Sequence, residues 1–237
     1  MKDINILWFK KDLRLDDNEA LYESLQDNDI LPIYIFEIEL WNQKTHSSRQ
    51  FQFCKESILD LRNALKEIGQ PLIIRTGKVT KIFEEISSKF NIKGIYSHQE
   101  TGDWITYKRD QEVKLWCSNK KIIWKEYLQF SVFRGAINRD NWSKKWKKNA
   151  ERVLIKRPLK INTIDFDIGE IPEEKIFSLE KDKCPGRLRG GRKKGIERMQ
   201  YFFNEELNSY SKNISSPEKS FYSCSRLSPY ISWGCIS

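Results

Sequence analysis

The sequence predicts an α/β protein: a five-stranded parallel sheet over residues 1–131, a long connector over 132–195, and the beginning of an all-helical domain over 196–237. Three observations lead there. Short β-branched and aromatic runs alternate with helical patterns through the first 130 residues. The rhythm then gives way to Pro, Gly and blocks of charge. Beyond those, apolar residues again recur at spacings of three and four. Strand–helix alternation with short connections implies right-handed crossovers and a parallel sheet covered on both faces.

Residues 4–10, 30–36, 71–77, 92–98 and 121–128 are the expected strands. Most are too continuously apolar for a strand with one wet face, which fits buried parallel strands. Residues 47–68 are the clearest helix, with Phe51, Cys54, Ile58, Leu61, Leu65 and Ile68 on one stripe. Ser47 and Gln50 form a capping-box pattern at its start, and Gly69 and Pro71 supply the stop. In the connector, residues 141–154 fit a basic helix with Trp142 and Trp146 on one face. So long a stretch without regular structure does not suit the inside of one compact domain, so a second domain is expected beyond it. There Ile196, Met199, Phe203 and Leu207 form an expected core-facing stripe. The closing run from Pro229 reads as a short apolar helix with nothing after it to pack against.

No run of about 18 apolar residues exists, and the amino terminus carries charges where a secretory signal needs an apolar segment. A cytoplasmic monomer without membrane contact is expected. The five cysteines form no CxxC pair and are read as thiols, mostly buried, with no metal site. The net charge of +9 is concentrated. Residues 134–160 hold ten Lys/Arg against two acids, residues 161–182 two against seven, and residues 183–198 seven against one. Such a basic region points to nucleic acid through counterion release, or else to a solvated connector.

The first strand-to-helix turn has no GxGxxG and no GxxxxGK[ST], which argues against ordinary dinucleotide or nucleotide-hydrolysing enzymes. Lys10, Lys11, Asp12, Arg14, Asp16 and Asp17 crowd that turn and are expected to form a salt-bridged surface loop. His46 and His98 are the only histidines, and neither stands beside a nucleophile motif. Both are expected to be structural. His98 stays a candidate because it closes a strand at the sheet's carboxyl edge, where such sheets bind ligands. No catalytic residue is assigned. The eight tryptophans serve packing, charge relay or base stacking, which composition does not separate. Near the end, Ser223, Ser225 and Ser228 alternate with Cys224, Arg226 and Leu227 ahead of Pro229. Free amides and hydroxyls at a helix start can hold an anion, with Arg226 adding charge to a phosphate or facing a carboxylate, and plain N-capping is the other reading.

Two stretches weigh these readings together. "LWFKKDLRLDDNEAL" (7–21) resembles the amino-terminal signature of the photolyase/cryptochrome family, and "SRLSPYISWGCIS" (225–237) resembles its flavin-binding signature. "HQETGDWITYKRDQEV" (98–113) and the run 190–230 between them fit as well. The resemblance implies a Rossmann-like antenna domain, a connector and a helical FAD-binding domain that uses blue light to split pyrimidine dimers flipped out of damaged DNA. It implies Tyr210 as a flavin-nucleotide contact, and Cys224, Ser225, Arg226, Leu227 and Ser228 as the segment around the FAD phosphates. Cys224 stands where threonine is frequent, so a backbone contact survives there and a hydroxyl contact does not. A second, antenna chromophore of unknown identity is also implied. The Asn-Glu pair that holds a folate antenna is missing, since Ile105, Thr106, Tyr107 and Lys108 precede Arg109 and Asp110.

The remaining helices of the family would follow Ser237. The chain is therefore expected to carry only the first wall of a flavin site, to bind FAD poorly alone and not to repair DNA. A photoreceptor using the same pocket, and a non-enzymatic nucleotide- or antenna-binding module, are the alternatives.

Overall fold

Five strands among the described residues, β1 (Asp3–Phe9), β2 (Asp29–Phe36), β3 (Ile73–Thr76), β4 (Asn91–His98) and β5 (Ile123–Tyr127), form one all-parallel sheet in the order β3-β2-β1-β4-β5. This computed structural model describes residues 1–129, 132–134, 138, 140–181 and 184–237. The domain boundary expected at residue 131 lies outside the described residues. Between the strands run α1 (Glu19–Ser24), α2 (Ile38–Trp41), α3 (Ser48–Glu67), α4 (Val79–Ser87) and α5 (Trp104–Lys120). They are followed by α6 (Trp142–Ala150), α7 (Arg192–Tyr201), α8 (Leu207–Asn213), α9 (Pro217–Ser223) and α10 (Ser228–Ser232).

Alternation along each strand feeds two cores. Leu7, Phe9, Tyr34 and Phe36 pack with Phe51, Ile58 and Leu65 of α3, while Ile6, Trp8, Ile33 and Ile35 pack with Ile82, Phe83 and Ile86 of α4 and Val113 of α5. With both faces covered, every strand position can be apolar, which is why the runs lack a polar alternation. Helix α3 starts as its sequence dictates: Ser47 Oγ accepts from the Gln50 N–H and the Gln50 side chain accepts from the Ser47 N–H. It stops at Gly69, whose φ of +120° is strained for any side chain and whose missing Cβ leaves room for the Ile161 carbonyl.

From Ile161 onward the connector is anchored to the α/β domain. The Ile161 N–H donates to the Ile68 carbonyl (2.7 Å), the Ile164 N–H to Gln70 Oε1 (2.6 Å), and Arg62 Nη2 to the carbonyls of Ile168 and Gly169. Ile161, Ile164 and Phe177 are buried. The Ile74 N–H of β3 donates to the Ile168 carbonyl (2.9 Å), so this segment covers an edge that would otherwise present unpaired backbone.

Four expectations change. Helix α7 begins at Arg192, ahead of the expected start at 196, because its cap comes from elsewhere: Asp60 Oδ2 on α3 accepts from the N–H groups of Arg192 (2.8 Å) and Lys193 (3.4 Å). The stripe Ile196, Met199, Phe203 and Leu207 does not face a core throughout, since Phe203 and Leu207 are exposed and Phe202 is buried instead. A wider, π-type turn over Phe202–Glu206 rotates the following residues out of phase. The closing helix has a partner after all. Trp233 stacks on Trp41 at 5.9 Å and 8°, the Leu13 N–H donates to the Trp233 carbonyl (3.1 Å), and Cys235 and Ile236 are buried in the first core. The expected basic helix is shorter than 141–154 and ends at Ala150.

Candidate functional site

The turn between β1 and α1 is not the surface loop that its charges suggest. Lys10, Asp12, Arg14 and Asp17 are buried. The chain's last residues cover them, with Arg14 Nη1 donating to the Gly234 carbonyl (3.1 Å) and Nη2 to the Asp17 carbonyl (2.9 Å). Lys10 Nζ lies 3.3 Å from Glu126. His98 is structural: its Nδ1 sits 2.7 Å from Asp12 Oδ2, with both side chains buried. Burial works to raise the Asp12 carboxyl, but His98, the Lys10 N–H and the Arg14 guanidinium together outweigh it and hold it below its ordinary value.

Beside this turn lies an ion network around Arg109 of α5. Its Nη1 donates to Glu37 (2.7 Å), its Nη2 to Glu100 (2.8 Å) and Asp110 (2.8 Å), and its guanidinium lies 4.9 Å from the Trp8 ring. Arg134 reaches Asp110 and Glu126 from the connector. Glu37 and Arg109 form the floor of a cavity of about 450 Å³ that Gly77, Lys78, Trp104, Lys108 and Glu112 also line. It opens at the carboxyl edge of the sheet, where β2, β3 and β4 release the chain into α2, α4 and the loop before α5. Burial pushes the Glu37 carboxyl up to about 7; Arg109 opposes this, and Glu100 and Asp110 add to it. Folded Glu37 therefore holds its proton more tightly than the unfolded chain does, so its contribution to stability is present at low pH and lost as pH rises through about 7. Stability is expected to fall between about pH 5 and pH 7 by at most about 3 kcal/mol, and Glu37→Gln is expected to flatten that fall. Urea midpoints measured across this range check it, and equal slopes in both proteins would refute it.

The helical segment carries a second concavity of about 400 Å³, lined by Leu188, Tyr210 and Cys224–Pro229. All six sequence-derived residues, Tyr210, Cys224, Ser225, Arg226, Leu227 and Ser228, meet there. Ser223, read with them, does not: it is buried and its Oγ accepts from Asn213 Nδ2 (2.8 Å), clasping α8 to α9. Tyr210 meets Phe202 edge-on at 5.7 Å. Ser225 is half-buried and its Oγ accepts from the Leu227 N–H at 3.5 Å, while Ser228 is exposed and no side chain caps α10. Arg226 lies over the Phe221 ring at 4.8 Å and pairs with no carboxylate among the described residues. Its φ of +54°, followed by right-handed Leu227, turns successive N–H groups toward one side, the arrangement of an anion-binding nest. Among the described residues the N–H groups of Ser225, Arg226 and Ser228 donate to no protein acceptor.

Sequence reasoning missed the residue that shapes this segment. Arg198 of α7 donates through Nε to the Ser225 carbonyl (2.9 Å) and through Nη2 to the Cys224 carbonyl (2.7 Å), and pairs with Glu206. With the carbonyls drawn toward Arg198, the amides are left to the groove. Arg198 stands inside an amphipathic helix, where a lone arginine reads as a solvated position, and no local signal marks it.

The chain is thus a doubly wound parallel domain joined to a helical segment with an amide-lined groove. The DNA photolyase family model matches residues 5–135, and the chain belongs to that family. The chloroplastic/mitochondrial cryptochrome DASH of Arabidopsis thaliana is 28% identical over 269 residues, which cover 100% of this chain and 46% of that protein. A cryptochrome structure from Synechocystis sp. PCC6803 superposes with a TM-score of 0.81 at 21% identity, over 99% of this chain and 53% of that one. An archaeal photolyase from Sulfolobus tokodaii, described with two FAD molecules and a novel light-harvesting cofactor, gives 0.75 at 22% identity, over 99% and 53%. At these identities the structures establish the shared fold. The chain spans about half the length of the curated relatives it matches. Among the described residues no helix is long and apolar enough to cross a membrane.

Proposed function

We propose that this chain is the amino-terminal part of a light-driven flavoprotein that repairs pyrimidine dimers in DNA. In this reading residues 1–131 serve as an antenna-type domain, 132–195 as the connector and 196–237 as the first part of the flavin-binding domain. One observation carries it: Tyr210 on α8 and the Cys224–Ser228 segment after α9 line one groove that offers unengaged N–H groups and an unpaired guanidinium to an anion. That donor set fits the diphosphate of FAD. Ser225, Arg226 and Ser228 hold the phosphates through N–H groups, so cysteine at 224 costs nothing there, and Tyr210 lines the same groove. Bound there, a flavin supplies light-driven one-electron chemistry. The residues of this chain bind and orient it, and the basic stretches track the DNA backbone. The cavity above Glu37 and Arg109, lined by Trp104, whose ring stacks on Tyr107 (5.3 Å, 29°), is the place for a second chromophore.

Titration of the whole chain with FAD, ADP and riboflavin tests the groove. Binding is expected to be weak and led by the diphosphate, with ADP competing against FAD and riboflavin binding least. Arg226→Ser is expected to weaken FAD on the order of tenfold, the worth of one charge-assisted contact. Equal binding of FAD and riboflavin, indifferent to Arg226→Ser, would overturn the phosphate assignment. Flavin retained stoichiometrically through purification would overturn the claim that the site here is partial. A photoreceptor use of the same groove is the second reading, supported by relatives named cryptochromes. A cyclobutane-dimer assay on this chain continued by a second half decides between the two.

A further inference from the structure

Helix α6 has no place in the flavin groove or in the cavity at the sheet edge. Its nine residues bury no side chain, and a helix this short is marginal in water without something to pack against. The described chain on either side of it is nevertheless fastened. Upstream, Arg134 pairs with Asp110 (3.3 Å) and Glu126 (3.4 Å). Downstream, Arg152 pairs with Asp17 (3.1 Å), and the Ile155 carbonyl accepts from the Asp17 N–H (2.7 Å). All these anchors lie near the carboxyl edge of the sheet, and α6, which holds no buried residue, runs between them with most of its side chains exposed.

The surface it displays has two parts. Trp142 and Trp146 stack on each other at 6.3 Å and 24°, each 47% exposed. At roughly 100° per residue, Lys145, Lys148 and Lys144 form a basic arc that begins next to the indoles and runs about a quarter of the way round the helix. Lys147, on the other side, pairs with Glu151 (3.7 Å), while Lys144, Lys145 and Lys148 meet no carboxylate among the described residues. Exposed aromatic faces beside an unpaired basic track suit a polymer of alternating phosphates and flat rings. A lipid surface suits it less well. Two indoles flanked by Asn149 on one side and by Ala150 and Ser143 on the other, with Lys145 and Lys147 beyond, are a narrow apolar face, and nine residues are short for an interfacial helix.

We infer that α6 is an accessory anchoring site for unpaired polynucleotide, with Lys144, Lys145 and Lys148 on the phosphates and Trp142 and Trp146 stacking on bases. This extends the proposed function to a second surface and rests on it only in taking DNA as the partner. The test uses the whole chain without flavin and an undamaged thymidine oligonucleotide of about 16 nucleotides. Its failure therefore leaves the groove assignment standing, and failure of the FAD titration leaves α6 standing. Replacing Lys144, Lys145 and Lys148 together by Gln is expected to reduce the slope of log Kobs against log salt by about 2, since each phosphate contact on a single strand is worth about 0.7. Trp142→Ala with Trp146→Ala is expected to weaken binding on the order of tenfold while leaving that slope alone. The same double variant is expected to bind an abasic oligonucleotide as the parent does. Thermal midpoints should barely move, because α6 contributes no residue to either core. An unchanged slope in the lysine variant, or a midpoint lowered by the substitutions, would overturn the inference. So would substitutions that leave oligonucleotide binding intact while abolishing binding to phosphatidylcholine–phosphatidylglycerol vesicles, an outcome that assigns α6 to membranes.

Discussion

Arg109→Met is expected to destabilise the chain by about 3–5 kcal/mol at neutral pH, the scale for removing one partner from a buried ionic cluster. The guanidinium bridges carboxylates from three elements: Glu37 after β2, Glu100 after β4 and Asp110 on α5. Methionine fills much of the volume against Trp8 but leaves Glu100 and Asp110 buried with less compensating charge. Burial alone would raise the Glu100 carboxyl; Arg109 first, then Lys11 and Lys10, bring it down to about 2. A carboxyl depressed in this way stabilises the fold above its unfolded value near 4.5, and that stabilisation is lost as pH falls toward about 2. The cost of Arg109→Met should therefore be largest near neutrality and shrink in acid, where the freed carboxyls protonate. Arg109→Lys restores the charge without the planar fork that meets three acids at once, so it should recover only part of the loss. Urea unfolding of the three proteins at about pH 7 and pH 4 checks both statements. A loss below about 1 kcal/mol, or one that grows in acid, would show that the network does not hold the sheet edge as described.

The sheet was legible because its evidence is local. A run such as Ile30–Phe36 carries its two-sided burial in its composition, and Ser47 and Gln50 carry both bonds of the α3 cap within four residues. The groove was legible differently: Tyr210 and Cys224–Ser228 were named by resemblance, since the residue types of the serine-rich turn alone favoured plain capping over anion binding. What stayed hidden is built from partners far apart in the chain. Asp60 caps α7 from more than a hundred residues away, Arg198 shapes a segment 26 and 27 residues on, and the Lys10–Asp17 turn is roofed by Trp233 and Gly234. Charges at positions 10–17 look solvated in sequence because nothing near them announces the roof. The misphased stripe at Phe203 and Leu207 has another cause. Apolar spacing assumes 3.6 residues per turn, and a single wide turn breaks the extrapolation.

That roof is the basis of the second large effect. Gly234 adopts φ +62°, and a Cβ there would stand 2.2 Å from the Lys11 carbonyl oxygen and 2.6 Å from Asp12 Cα. Both obstacles are backbone of the buried turn, so neither can swing aside, and a β-branched residue in the left-handed region adds strain of its own. Gly234→Val is therefore expected to lift the chain's last residues off the α/β domain. The losses are the Trp233–Trp41 stack, the burial of Cys235 and Ile236, and the Arg14 bond to the Gly234 carbonyl. Together they should cost about 3–5 kcal/mol, the scale of deleting one large buried side chain. Gly186 has open space where its Cβ would go, so Gly186→Ala should leave the urea midpoint in place and serve as the control. Because Ser228 and Pro229 on the groove's rim precede this segment by only a few residues, Gly234→Val should also weaken any FAD binding of the chain. Red-shifted tryptophan emission and a lowered midpoint are the expected readouts. A variant that keeps the parent's midpoint would show that the last residues do not seal the buried turn, and the docking of the helical segment described above would have to be abandoned.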